Sequence, residues 1–218
     1  MGQPVCGLDH LSAFFYGGMP MNKRETEFLT PDEAGAMLRV PDRRTVQGKR
    51  DFAVLMTMFT TGVRKAELCG VKVGDIKTYR NQAILEVLGK GKKKRRIPLK
   101  HETLLAIKDY WKAEGNGTDP QHHVFYTLGK HGPYDVRPLS RAAVDLLVKR
   151  IADRALIKKR LHPHSLRHTF ATTLLDTGTD LKTVQNLMGH SHIRTTEVYL
   201  HTTDDRKVEA VNSLQFGK

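Results

Sequence analysis

"HPHSLRHTFATTLL", residues 162–175, places three histidines and one arginine in seven residues and then turns apolar. Pro163 disfavours helix at His162 and suits the first turn that follows. His164 and Arg167 therefore fall in the opening turn of a helix, three residues apart and on one face. Leu166, Phe170 and Leu174 recur at i, i+4, i+8 and form an apolar stripe on another face. The polar face lies where free backbone N–H groups and the helix dipole favour an anion. Two readings fit this segment alone: a solvated cationic helix start, or a cradle for an anionic ligand. Zinc fits poorly, because Ser165 stands where the His-Glu-x-x-His pattern has its glutamate.

The surrounding sequence is helical with one interruption. In "FLTPDEAGAMLRV" (28–40), Thr30, Pro31 and Glu33 make a capping box that predicts a helix over 31–39. "KRDFAVLMTMFTTG" (49–62) predicts a buried helix stopped near Gly62, and "VRKAEL" a short third one. Then the period changes to two. "DIKTY", "AILEVL" and "RRIPL" read as strands of a small antiparallel sheet, with "GKGKKK" as a hairpin tip. Helical patterns return at 101–114, 140–157, 164–176, 180–188 and 195–201, and the loop 115–138 has room for a short hairpin. The fold class expected is mainly α with a small antiparallel β-sheet (α+β). Residues 1–24 read as an extension or linker, and 25–218 as one domain.

The chain of 218 residues has 36 Lys+Arg against 23 Asp+Glu, a formal charge of +13. Such an excess calls for a polyanionic partner, nucleic acid before acidic membrane. The longest apolar run, "FAVLMTMF" (52–59), is too short to span a bilayer. The N-terminus lacks the basic region of a secretion signal. Cys6 and Cys69 form no C-x-x-C pair, so neither a disulfide framework nor a cysteine zinc site is expected, and a reduced, cytoplasmic setting fits.

Three further segments carry chemistry. In "TTGVRKAELCGVKVGDI" (60–76), Arg64 follows the Gly62 break and Glu67 at i+3 can hold its guanidinium. "GKGKKKRRIPL" (89–99) sets six cations in the seven residues 90–96. Lys92, Lys93, Lys94, Arg95 and Arg96 read as a solvated tip that touches DNA phosphates. Lys90 differs, because it sits between two glycines at the turn itself. In "LMGHSHIRTTEVYLH" (187–201), His190 follows a glycine helix stop and Tyr199 lies nine residues on.

Together, in this order and spacing, the four segments resemble the catalytic domain of tyrosine recombinases, the phage integrase, Xer and Cre family, from about Thr30 to His201. The family's R…K…H-x-x-R…H…Y set falls on Arg64, Lys90, His164, Arg167, His190 and Tyr199, and Glu67 matches the acidic position supporting the first arginine. The resemblance implies a site-specific DNA recombinase used for integration, excision or inversion. Tyr199 would attack a phosphodiester of double-stranded DNA to give a 3′-phosphotyrosine. No metal and no cofactor would be needed, because cations serve the phosphate and the phosphotyrosine keeps the bond energy. Two other outcomes share these residues: a strand-passing enzyme of the type IB topoisomerase or telomere-resolvase kind, and a catalytically silent DNA-binding module.

Most members of the family carry an N-terminal core-binding domain of some hundred residues, whereas about 29 residues precede the capping box here. The chain therefore reads as a catalytic domain without a separate core-binding domain, like the short fimbrial-switch recombinases or a fragment of a longer protein. A homo-oligomer, dimer to tetramer, is expected on DNA, with an accessory DNA-binding protein as a possible partner and no membrane. "DDRKVEAVNSLQF" (204–216) has Val208, Val211 and Leu214 at near-helical spacing, suited either to a neighbouring protomer or to its own core.

Overall fold

The structure, a computed structural model, describes residues 27–89, 94–115, 119–127 and 137–189. Its order is α1 (Pro31–Arg39), α2 (Val46–Thr61), α3 (Lys65–Gly70), a 3₁₀ turn at Val73–Asp75, β1 (Ile76–Tyr79), β2 (Gln82–Leu88), β3 (Lys94–Pro98), α4 (His101–Glu114), α5 (Arg141–Arg154), α6 (Pro163–Asp176) and α7 (Leu181–Met188). This is the mainly helical chain with one small antiparallel sheet that the sequence predicted. The expected helix at 195–201, the tail 204–216 and the extension 1–24 lie outside the described residues.

The capping box of α1 forms as read: the Thr30 hydroxyl accepts from the Glu33 amide at 3.3 Å, and the Glu33 carboxylate accepts from the Thr30 amide at 2.8 Å. Helix α2 starts three residues earlier than predicted. Thr45 caps it by accepting from Gly48 N–H at 3.0 Å, and a Cβ on Gly48 would stand only 2.0 Å from the Asp42 carbonyl oxygen. Gly48 is thus a close-approach position in a first turn.

The three strands run β1-β2-β3, all antiparallel. The register sets Leu85 opposite Ile97 and Val87 opposite Arg95. Leu85, Val87, Ile97 and Leu99 are buried, so this face of the sheet turns to the protein interior. Beyond α4, the described part of the loop 115–138 shows an antiparallel bridge between Tyr126 and Pro138; most of the segment with room for a hairpin lies outside the described residues.

Helix α2 is the hub, packed on α4 and on α6. Its Ala53, Val54, Leu55 and Met58 join Leu68, Leu85, Ile97, Ile107, Tyr110, Phe125, Val148 and Leu166 in one apolar core. Phe170, Ala171, Leu175, Val184 and Met188 form a second cluster that holds α7 on α6. Gly62 ends α2 in the left-handed region (φ 58°), and a Cβ there would meet the Phe170 ring at 2.3 Å. Glycine at 62 is therefore required twice, by conformation and by space.

Candidate active site

Two helix ends and one helix start converge. The chain leaves α2 at Gly62, and Arg64 becomes the N-cap of α3 instead of a first-turn residue. The Glu67 carboxylate reaches back, its Oε2 accepting from the Arg64 backbone N–H at 2.8 Å and its Oε1 from Arg64 Nη1 at 3.0 Å. The expected Arg64–Glu67 pair is present and has a third member. Arg95, from β3, forks both Glu67 oxygens at 2.8 Å each. Burial alone would raise the Glu67 pKa, but the Arg95 fork, the Arg64 N–H and both positive charges outweigh it and hold it at about 2.

Helix α6 departs from the amphipathic expectation. Residues 165–172 are all buried, and Arg167 is only 2% exposed. The Arg167 guanidinium does not open to bulk water, because the end of α2 and the end of α7 cover it. Arg167 Nη1 donates to the Gly62 carbonyl, and Nη2 donates to the Met188 carbonyl at 2.5 Å. Both acceptors belong to helix C-termini, whose dipoles stabilise a buried cation. One first-turn N–H expected to face an anion is also occupied: His162 Nδ1 accepts from Ser165 N–H at 3.2 Å.

His162 and His164 stay at the surface, beside a cleft of about 520 Å³ walled by Arg64, Lys65, Asp145, His162, His164 and Arg167. Lys65 Nζ is held by both Asp145 oxygens at 2.9 and 2.6 Å. Partial burial, then the charges of Arg167, His162 and Arg64, keep the His164 pKa below its ordinary value. At neutral pH the His164 imidazole is therefore uncharged and able to accept a proton. His168, one turn on, faces away and stacks on Phe28 with ring centroids 5.4 Å apart.

Of the predicted residues, Arg64, His164 and Arg167 meet at this cleft, with Glu67 behind Arg64. Lys94 is exposed, and Arg96 lies on the outer face of β3, where it pairs with Glu86 at 3.2 Å and covers the Tyr79 ring. Arg95 corrects the sequence reading: its side chain is 12% exposed and turned inward on Glu67, so it is not part of a solvated cationic tip. The signal was present in the sequence. Ile97 and Leu99 must face the core, and in a strand residue 95 shares their side. Lys90, Lys92, Lys93, His190 and Tyr199 lie outside the described residues.

The profile of the phage integrase family matches residues 27–206. This chain belongs to that family. A tyrosine recombinase of Pseudothermotoga lettingae is 34% identical over 194 residues, covering 89% of this chain and 63% of the relative. Tyrosine recombinase XerD of Halalkalibacterium halodurans is 38% identical over 186 residues, covering 84% and 60%. The chain thus spans about three-fifths of the length of these integrase-family relatives. The crystal structure of XerA recombinase superposes with a TM-score of 0.72 at 25% identity, covering 89% of this chain and 68% of that one. XerH site-specific recombinase, in a post-cleavage complex with its palindromic difH substrate, has the same fold, with a TM-score of 0.69 at 23% identity over 87% of this chain and 54% of that one.

Proposed function

We propose that this chain carries the catalytic domain of a site-specific DNA recombinase, which breaks and rejoins DNA strands through a 3′-phosphotyrosine. The observation that carries the reading is the convergence of Arg64, Arg167 and His164 on one cleft, with the Arg64 guanidinium held by Glu67. Family membership and the named recombinase relatives support it.

The chemistry follows from the charges. The Tyr199 phenol oxygen attacks phosphorus, and the bond from phosphorus to the 5′ oxygen breaks. The phosphorane between these states carries added negative charge on its non-bridging oxygens. Arg64 and Arg167, which both wall the cleft, would offer guanidinium charge and donors to those oxygens. His190 adds a donor to the same oxygens. His164, neutral in the free protein, either takes the phenol proton or bonds the phosphate. Lys90 delivers a proton to the departing 5′ oxygen, an alkoxide that otherwise leaves poorly. A 5′-hydroxyl of another strand then attacks the phosphotyrosine, restoring the phosphodiester and freeing Tyr199. Strand exchange requires several copies on DNA, dimer to tetramer. Its setting would be chromosomal or mobile-element DNA in the cytoplasm.

A pool of nicked duplexes randomised at the cleavage region tests the reading, because a nick lets the short product diffuse away and traps the covalent adduct. The wild-type chain should become linked to a subset of sequences. Tyr199→Phe should bind DNA and form no adduct. Lys90→Ala should cleave roughly 10²–10⁴-fold more slowly. Sulfur in place of the bridging 5′ oxygen should rescue it, but not Arg64→Ala or Arg167→Ala, which lose charge stabilisation. An adduct from Tyr199→Phe overturns the assignment. Relaxation of supercoiled DNA irrespective of sequence would replace recombination by topoisomerase action.

A further inference from the structure

The end of α7 is held in an unusual way. Three consecutive carbonyls there each accept from a different arginine: Leu187 from Arg95 Nε at 2.9 Å, Met188 from Arg167 Nη2 at 2.5 Å, and Gly189 from Arg64 Nη2 at 3.4 Å. Two of these arginines wall the cleft, and the third does not. Arg95 directs Nη1 and Nη2 at the Glu67 carboxylate, the same group that aims Arg64. It also lies directly under the α7 turn, where a Cβ on Gly189 would stand 3.0 Å from Arg95 Cδ. Gly189 ends α7 in the left-handed region, and the chain continues into His190.

We propose that Arg95 is a positioning residue of the active site, one that locks Glu67 against Arg64 and pins the α7 end from which His190 departs, and that it makes no contact with DNA. The argument is geometric. A guanidinium has five donors in a fixed planar fork. Here one edge matches the carboxylate and Nε points to a carbonyl on another element, so a single side chain ties β3, α3 and α7 together. A lysine has charge but no fork and cannot make both contacts in this plane. Removing the clamp leaves Glu67 buried with Arg64 as its remaining close cation among the described residues. Lys72, Asp75, Glu86 and Lys94 line a separate pocket that Glu67 also borders. The catalytic consequence rests on the recombinase reading above; the clamp itself does not.

Arg95→Lys and Arg95→Gln test this in three readouts. Without DNA, amide exchange should accelerate in 64–70 and 186–189 by about tenfold or more, reporting local opening, with the rest of the chain unchanged. On DNA, affinity and its salt slope should match wild type, whereas a lost phosphate contact lowers the slope by about 0.9. Adduct formation should fall roughly 10²-fold, as for a misplaced catalytic group. Its pH profile should gain a limb on the acid side, because Glu67 without its fork protonates at higher pH. Adding Glu67→Gln to Arg95→Gln should remove that limb. A merely structural role would slow cleavage without creating a limb. Arg95→Lys, which keeps the cation beside Glu67, serves if Arg95→Gln fails to fold. Unchanged exchange in both segments overturns the clamp. A reduced salt slope, or Arg95→Lys cleaving at the wild-type rate, overturns the positioning role. Failure of the wild-type chain to form any adduct overturns the recombinase reading instead, and exchange then decides the clamp alone.

Discussion

The head of α6 and strand β3 are both written in arginine and lysine, yet the fold treats them differently. At α6 the arginine is taken inside and the two leading histidines are left out: Arg167 is 2% exposed, while His162 and His164 remain at the surface. On β3 neighbouring arginines part company, Arg95 inward onto Glu67 and Arg96 outward onto Glu86 and Tyr79. What decides is whether backbone or carboxylate acceptors wait at the place to which the local period points. Two helix C-termini wait for Arg167 and a buried carboxylate waits for Arg95. Arg96 meets a partner on a strand surface already in water. Cation count in the sequence therefore tells little about which cations serve phosphate and which serve the protein.

The sharpest way to break this comparison is to remove one cation of each kind. Arg167→Ala orphans the buried Gly62 and Met188 carbonyls, and each unsatisfied buried acceptor costs about 1–3 kcal/mol. With the space vacated, a loss on the order of 3–5 kcal/mol is expected, seen as a Tm lower by roughly 10 °C in a scanning calorimeter. Arg167→Lys should recover part of it by keeping one carbonyl. Arg96→Ala should change stability by less than about 0.5 kcal/mol, since its side chain is 57% exposed. If the two alanine variants melt alike, the helix C-termini are not what holds Arg167.

The histidines of α6 sharpen the same contrast. His168 is 8% exposed, and burial, followed by the nearby His164, depresses its pKa from 6.5 to about 4. Between those values the unfolded chain binds a proton at 168 that the folded chain refuses. The stabilisation is fully present above pH 6.5 and is lost as pH falls toward 4. The drop should reach about 3 kcal/mol. His168→Phe, which keeps a ring against Phe28, should flatten this part of the stability–pH curve in urea titrations. A curve identical to wild type would show that His168 takes its proton without cost.

Much of this was legible beforehand. Elements α1, α4, α6 and α7 and all three strands stand within about two residues of their sequence expectation, because caps, glycine stops and a clear change of period mark them, whereas α5 ends at Arg154, three residues before its expected end. Arg64, Glu67, His164 and Arg167, singled out by motif, spacing and resemblance, do stand together, three of them on one cleft and Glu67 on Arg64. The inward turn of Arg95 was readable from Ile97 and Leu99 but was masked by five neighbouring cations. The closure of α6 by α2 and α7 was not readable, since local amphipathicity cannot report which distant carbonyls arrive on a polar face. The early start of α2 was hidden for a related reason: Gly48 looks like a breaker until the Asp42 carbonyl is seen against it.

The smallest expected effect concerns the tip of the β2–β3 hairpin. If Lys92 and Lys93 are solvated like the exposed Lys94, neutralising the three together should leave stability within about 0.5 kcal/mol of wild type. Their role would appear only in DNA binding, where each lost phosphate contact lowers the slope of log K against log salt by about 0.9. Arg96→Ala, on the outer face of β3, belongs with them and should add at most one further step. Arg95→Lys should add none. Filter binding on one duplex across a range of salt measures all of these in parallel. An unchanged slope in the triple variant would take the hairpin tip out of the DNA interface. The charge of +13 would then have to act elsewhere, and exposed Arg141, Lys149, Arg150 and Arg154 on α5 offer the next surface to neutralise. A slope that falls for the lysines and stays fixed for Arg95 would separate cations that hold DNA from cations that hold the site.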